Sequence, residues 1–170
     1  MKVSLFATCL ANQFYADACA DTVRLLRHLG VEVDVPKAQT CCGQPAYNAG
    51  RRAEACDMAR HTATVFSDSG YIVLPSGSCV GMMRSHYPDL LSEDETVPDL
   101  VGRTFELSQF LVRVMGVTKL GKGLEGRQIA YHHSCHALRE LGVRDEPLAL
   151  LRGCGAEVVP WERRNEGSSR

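Results

Sequence analysis

Cysteines are the residues of this chain best suited to chemistry, and their spacing forms a pattern. Cys9 stands alone, Cys41 and Cys42 are adjacent and precede Gly43, and Cys79 follows. The first gap contains 31 residues and the second contains 36. Thiolates delivered from three separated points suit a metal or an iron–sulfur cluster better than a disulfide framework. A disulfide between neighbouring cysteines closes an awkward ring, so the vicinal pair favours cluster ligation.

Composition narrows the class of protein. The chain has 170 residues, of which 45% are hydrophobic, so it can bury a core without disulfide staples despite its eight cysteines. Lys and Arg total 19 against 20 acidic residues, and without a basic block we expect no nucleic-acid partner. No apolar run is long enough for a membrane span, and residues 1–11 are too short for a signal peptide. We therefore expect a cytoplasmic protein with reduced thiols.

The first half of the chain alternates strand and helix patterns. Three-to-four spacing of apolar residues predicts helices at 12–29 and 48–66, and short apolar or alternating runs predict strands at 2–7, 31–35 and 71–74. Strand, helix and strand make a βαβ unit. Each cysteine group follows a predicted strand directly, so the three groups belong to loops at one edge of a parallel sheet.

Sites in open parallel sheets form beyond the carboxyl ends of the strands. We therefore expect Cys9, Cys41, Cys42 and Cys79 to converge, with Cys79 in a turn at 75–79. Four thiolates satisfy one 4Fe-4S cluster. In the loop of the vicinal pair, Gly43 leaves room for backbone amides to approach sulfur. Proline follows at position 45 and fixes the turn before the next helix.

The second half repeats the first. A strand at 128–131 leads to Cys135, helical character returns at 146–151, and the run 155–160 echoes 30–36. Aligning Cys135 with Cys9 predicts a second cysteine pair at 167 and 168, where the chain has Gly-Ser. The expected fold is α/β, with two tandem Rossmann-like βαβ repeats, a parallel sheet and a truncated second repeat. The boundaries are 1–91 for the first repeat, 92–126 for a linker with a helix, and 127–170 for the partial second repeat.

Other interpretations of the cysteines stay open. Free cysteine is readily buried, so Cys19, Cys56 and Cys154 are expected to be small core residues. Zinc also accepts four thiolates, although structural zinc sites usually separate paired ligands by two to four residues. A catalytic thiol at Cys135 is a third possibility, with an adjacent histidine as its base. The histidines near Cys135 could instead ligate a metal or simply form hydrogen bonds, and these are His132, His133 and His136.

The motif resembles the cysteine-rich CCG-domain family, which includes the cysteine-rich subunit of heterodisulfide reductase, the glycolate oxidase iron–sulfur subunit and the lactate-utilisation protein A group. The matching residues are Cys9, Cys41-Cys42-Gly43, the Pro75–Cys79 run and the duplicated start at His133–Leu138. The resemblance is closest to the lactate-utilisation group. It implies a cytosolic bacterial iron–sulfur protein that passes electrons during oxidation of L-lactate to pyruvate, together with partner subunits encoded alongside it.

Two departures from the family pattern bear on the cofactor. The reductase relatives have a cysteine where this chain has Ser76, so one ordinary four-iron cluster is expected rather than fused clusters. The second CCG motif is replaced by Gly167-Ser168-Ser169, which leaves Cys135 as an additional candidate ligand without partners. The alternatives to electron transfer are a heterodisulfide or thiol–disulfide reductase component and a non-catalytic zinc-binding module.

Overall fold

The computed structural model describes residues 1–160. Its larger unit is a four-stranded, entirely parallel sheet with the strand order β2-β1-β3-β4. Neighbouring strands therefore connect through helices that cross over a face of the sheet. The strands are Lys2–Leu5 (β1), Glu32–Asp34 (β2), Tyr71–Leu74 (β3) and Thr104–Glu106 (β4).

Helices cover both faces of this sheet. Ile72 and Leu74 belong to one buried cluster with the helix that follows β2, whereas Val73 belongs to the other cluster with the helix that follows β1. Strands buried on both faces read as continuous apolar runs, as β3 does. The α-helices of this unit are Cys9–Phe14 (α1), Ala16–His28 (α2), Gln44–Asn48 (α3), Arg52–Val65 (α4), Gly77–Gly81 (α5), Tyr87–Leu90 (α6), Val97–Gly102 (α7) and Leu107–Gln109 (α8).

The bounds of two predicted helices differ from those observed. The helix predicted at 12–29 breaks at Tyr15, whose φ of −137° is not helical. The helix predicted at 48–66 is continuous but begins only at Arg52, because the chain turns at Gly50, whose φ of +75° lies in the left-handed region that glycine adopts readily. The turn predicted at 75–79 is also shorter than expected: α5 begins at Gly77 and runs on into the π-helical segment Met82–His86.

The segment 92–126, predicted as a linker with a helix, contributes to the sheet of the first unit. It supplies α7, whose Val97 and Leu100 are buried, and β4, which pairs with β3 through Ile72 and Thr104. A second π-helical segment, Phe110–Val114, follows α8 and packs its Phe110 in the core. The segment was predicted to be a linker because it is acidic and contains proline, and this composition hid the apolar positions that are buried.

The predicted second βαβ unit is confirmed. Strands Gln128–Ala130 (β5) and Glu157–Val159 (β6) form a separate two-stranded parallel sheet, connected through Cys135–Arg139 (α9) and Asp145–Gly153 (α10). Gln128 lies opposite Glu157 as Lys2 lies opposite Glu32, so the two units share one register. The missing cysteine pair at 167 and 168 lies outside the described residues.

The second unit packs against the first through α9 and α5. A Cβ added to Gly77 would lie 2.9 Å from the Cβ of Ala137, so the two backbones approach closely because neither residue is large. The side chain of Gln109 also donates to the carbonyl of Leu141 over 3.0 Å. Within residues 1–160, no helix has the length and apolarity that crossing a membrane would require.

Candidate metal centre

Three loops meet at the carboxyl edge of the four-stranded sheet. β1 leads to Cys9 at the start of α1, β2 leads to Cys41 and Cys42, and β3 leads to Cys79 in α5. Because β1 lies between β2 and β3, the connection after β1 runs to one side of that strand and the connection after β2 returns to its other side. Open α/β sheets form their ligand crevices at such a reversal of strand order. The convergence expected from the sequence therefore follows from the strand order.

The four cysteines line one small cavity. The sulfur atoms of Cys9 and Cys41 are 3.5 Å apart, and Cys42 lies within hydrogen-bonding reach of both Cys41 and Cys79. The cavity has a volume of about 40 Å³, and among residues 1–160 no carboxylate or imidazole lines it. The described residues that line it are Thr8, Cys9, Leu10, Cys41, Cys42, Gln44, Pro45, Ser76, Ser78 and Cys79.

Burial of these thiols is uneven. Cys42 and Cys79 are 2% and 8% exposed and belong to the apolar core, whereas Cys9 and Cys41 are half-buried. An open hollow of about 460 Å³ adjoins the exposed pair, with Asn12 and Lys37 in its walls. The site thus has one dry side and one side that faces solvent.

Hydrogen bonds give the four thiols different acidities. Hydrogen bonding with Cys42 lowers the pKa of Cys41 from 9.0 to about 5 and that of Cys79 to about 7. The same bonds strongly raise the pKa of Cys42, and burial raises the pKa of Cys9. Gly43 contributes a backbone N–H to the sulfur of Cys41. The protons remain on Cys42 and Cys9 while Cys41 is a thiolate at neutral pH.

The vicinal pair depends on the backbone freedom of Gly43. Its φ is +86°, and a Cβ there would lie 3.2 Å from the carbonyl oxygen of Ala55 and 3.3 Å from the Cβ of Met58. Glycine is therefore needed both for the left-handed conformation and for the close approach to α4. The loop is also anchored to the core, because the hydroxyl of the fully buried Tyr87 donates a hydrogen bond to the carbonyl of Cys42 over 3.0 Å.

Ser76 and Ser78 line the four-cysteine cavity, although the sequence pattern did not assign them to it. Both hydroxyls bond to the Cys79 sulfur and help to lower its pKa. Their two oxygens are 3.4 Å apart. The only sequence signal for these serines was their position close to Cys79, a candidate ligand. Tyr87 had no such signal, because it is 45 positions from Cys42.

The remaining cysteines lie outside the cavity. Cys19 is buried in the core as predicted, and Cys56 donates to the carbonyl of Leu90 over 3.2 Å. Cys135 is exposed at the start of α9, and Cys154 is half-buried after α10. The four-cysteine set is therefore brought together without Cys135.

The histidines near Cys135 have neighbours of their own. His136 lies 3.6 Å from the carboxylate of Glu140, one turn along α9, and the rings of His133 and Tyr131 meet edge to face at a centroid distance of 5.0 Å. Glu140 is an acid beside the histidine that the sequence analysis did not identify, although its four-residue spacing was available as a signal. Neither histidine lines the four-cysteine cavity.

A single metal ion and a cluster demand different arrangements of ligands. Among residues 1–160, no group of three or more His, Cys, Asp or Glu side chains is arranged around one ion position. In a four-iron cluster each thiolate binds a different iron, so the ligands surround a larger body. The donor set, with four soft sulfurs and nearby N–H and O–H donors, fits a cluster chemically.

Comparison with known proteins gives one family. Residues 3–84 match the model of the CCG cysteine-rich domain. Two similar proteins are each named lactate utilization protein A: that of Oceanobacillus iheyensis is 48% identical over 89% of this chain and 63% of its own length, and that of Geobacillus kaustophilus is 48% identical over 94% and 68%. A third, from Halalkalibacterium halodurans, is 46% identical over 94% and 68%. The chain spans about two thirds of the length of these relatives.

Proposed function

This chain belongs to the lactate utilization protein A family of CCG cysteine-rich proteins, and from that premise we propose that it is an iron–sulfur protein of lactate utilisation. Its role in this proposal is to pass electrons during oxidation of L-lactate to pyruvate. The partners are other subunits of a lactate-oxidation complex and their redox partners, in the cytoplasm. The names of the relatives support the pathway, and the cysteine site supports the kind of chemistry.

The observation that carries the proposal is the convergence of Cys9, Cys41, Cys42 and Cys79 on one cavity. These residues would hold a 4Fe-4S cluster, which supplies one-electron transfer when bound. Cys42 and Cys79 approach from the buried side, whereas Cys9 and Cys41 lie toward solvent, where electrons can be exchanged. The described part of the lining offers no carboxylate or imidazole to take a proton from the hydroxyl of lactate, which favours electron transfer over dehydrogenation at this site.

Anaerobic reconstitution tests the cofactor. Iron, acid-labile sulfide and zinc are measured per chain, together with the visible spectrum, for the wild type, Cys41→Ser and the matched control Cys154→Ser, a half-buried cysteine outside the cavity. About four iron and four sulfide per chain are expected for the wild type and the control, with loss in Cys41→Ser. Zinc without sulfide would contradict the proposal and favour a zinc-binding module.

A thiol–disulfide or heterodisulfide reductase is the second candidate function. It is favoured by the 3.5 Å separation of the Cys9 and Cys41 sulfurs and by the lowered pKa of Cys41, because a thiolate next to a second thiol is suited to disulfide exchange. Reduction of a disulfide substrate, abolished by Cys9→Ser, would support this candidate. A Ser76→Cys variant adds the cysteine of the reductase relatives, and an altered cluster spectrum would show that position 76 decides the cluster type.

A further inference from the structure

Gln39 joins two of the three cysteine loops. Its side-chain oxygen accepts from the backbone N–H of Ala7 over 2.7 Å, and its side-chain nitrogen donates to the carbonyl of Leu5 over 3.3 Å. Ala7 lies two residues before Cys9, and Gln39 lies two residues before Cys41. One side chain therefore connects the backbone that leads to Cys9 with the loop that carries the vicinal pair.

The pattern of these two bonds is that of a parallel β-ladder. In such a ladder, one residue donates its N–H to the carbonyl of residue i−1 on the next strand and accepts from the N–H of residue i+1. The side-chain amide of Gln39 makes both bonds around Phe6, to Leu5 and to Ala7. Phe6 itself points its N–H the other way, to the carbonyl of Val73 on β3.

The backbone after β2 does not make this rung. Pairing between β1 and β2 ends with Ser4 opposite Asp34, and the chain then leaves the sheet at Val35 and Pro36. Proline has no N–H with which to continue a ladder. The side chain of Gln39 thus takes the place of a strand residue while the backbone is free to curve toward the cavity.

We infer that Gln39 is a positioning residue, which extends the β1–β2 ladder by one side-chain rung and thereby holds Cys41 against Cys9. The sulfurs of these two cysteines are 3.5 Å apart at the end of the two loops it joins. For the cofactor-bound protein the inference rests on the proposed function, since Gln39 then positions ligands of the cluster. In the metal-free chain Gln39 positions only the thiols of Cys9 and Cys41, and the inference does not depend on the cluster.

The chemistry of the rung requires an amide. Glutamine presents an acceptor and a donor at once, whereas a glutamate of the same shape keeps the acceptor for Ala7 but cannot donate to Leu5 when ionised. A leucine of similar size removes both bonds. Gln39→Glu and Gln39→Leu therefore separate the ladder pattern from simple space filling.

The first test uses the metal-free chain and diamide. Diamide takes two electrons and two protons from the Cys9 and Cys41 thiols, so that one S–S bond replaces two S–H bonds and diamide is reduced to the hydrazine. Peptide mass spectrometry follows the rate at which the Cys9–Cys41 disulfide forms. In both Gln39 variants we expect this rate to fall about tenfold, the effect of losing ordinary hydrogen bonds between the loops.

Controls and a second readout make the test specific. Gln13→Leu changes another glutamine that lines the same hollow and is expected to leave the rate unchanged. Circular dichroism checks that every variant is folded. In reconstituted protein, release of iron to a chelator should be about tenfold faster in both Gln39 variants.

The outcomes separate the two proposals. An unchanged rate of disulfide formation in Gln39→Leu would overturn the inference. If the rate fell in Gln39→Leu but not in Gln39→Glu, the bond donated by the Gln39 amide to Leu5 would not be required. Slowed disulfide formation in a chain that takes up no iron would sink the proposed cluster and leave the role of Gln39 standing.

Discussion

At the scale of single residues, Cys42 organises the protons of the site. It is the most buried of the four thiols, and its single S–H proton can be donated either to Cys41 or to Cys79. A buried donor between two sulfurs stabilises their ionised forms and makes its own ionisation costly. The vicinal pair is therefore chemically unequal: Cys41 is the reactive member, and Cys42 keeps its proton in the metal-free chain.

The reactivity of Cys41 should follow this inequality. In the metal-free chain, its alkylation by iodoacetamide is expected to rise through a midpoint near pH 5, the lowered pKa, and to stay high above it. Peptide-resolved mass spectrometry across the pH range measures the midpoint. Cys42→Ala removes the donor and should move the midpoint back toward 9.0, the value from which the pKa of Cys41 is lowered. Equal midpoints in the wild type and Cys42→Ala would show that Cys42 is not the cause.

The hydroxyls of Ser76 and Ser78 should tune the potential of a bound cluster. Hydrogen bonds to a ligand sulfur stabilise the additional negative charge of the reduced cluster and so raise its reduction potential. Ser76→Ala should therefore make the midpoint potential more negative by about 20 to 60 mV, the equivalent of one hydrogen bond in a one-electron couple. A potentiometric titration followed by electron paramagnetic resonance measures it. Ser108→Ala, a serine in α8 and outside the cavity, is the control. A potential unchanged in Ser76→Ala would remove the tuning role.

At the scale of elements, short segments after strands carry the site. α1 begins at Cys9, where the Thr8 side chain caps the helix by accepting from Ala11. α5 carries Cys79, and the helical run beyond it reaches Tyr87, which supports the vicinal pair. The rigid sheet thus fixes the starting points of the loops, while capping and side-chain bonds fix their ends.

Gly43 offers a test of loop geometry with a matched control. Both Gly43 and Gly50 have positive φ, but only Gly43 lies against other atoms; a Cβ at Gly50 would meet nothing within 4 Å. Gly50→Ala should cost about 1–2 kcal/mol of unfolding free energy from backbone strain alone. Gly43→Ala should cost more, because α4 must also give way. Urea unfolding measures both values, and equal costs would show that contact with α4 is unimportant.

At the scale of the whole molecule, α5 couples the two units. It follows β3 of the first unit, carries Cys79, and packs through Gly77 against Ala137 in α9 of the second. The second unit therefore supports the helix that carries one of the four clustered cysteines of the first. α9 itself starts at Cys135, so the repeat places equivalent cysteine-bearing segments in different environments of one fold.

This coupling can be tested with a pair of substitutions. Gly77→Ala should lower the free energy of unfolding by about 1–3 kcal/mol through overpacking against Ala137. Ala137→Gly should recover part of the loss in the double variant, since the two changes meet at one contact. Gly102→Ala, at the end of α7 where a Cβ meets nothing within 4 Å, serves as the control. Strictly additive effects at 77 and 137 would contradict direct packing.

Residue types and short-range periodicity were enough to predict the four-cysteine group, the parallel α/β class and the second βαβ unit. Such patterns act within short windows and need no knowledge of distant neighbours. Three-dimensional packing added that 104–106 completes the sheet, that Cys79 lies in a helix, and that Gln39 and Tyr87 hold the vicinal pair. The contacts of those two side chains join residues 32 to 45 positions apart. Contacts of this kind depend on the order of strands in space, because only that order brings the ends of β1, β2 and β3 together.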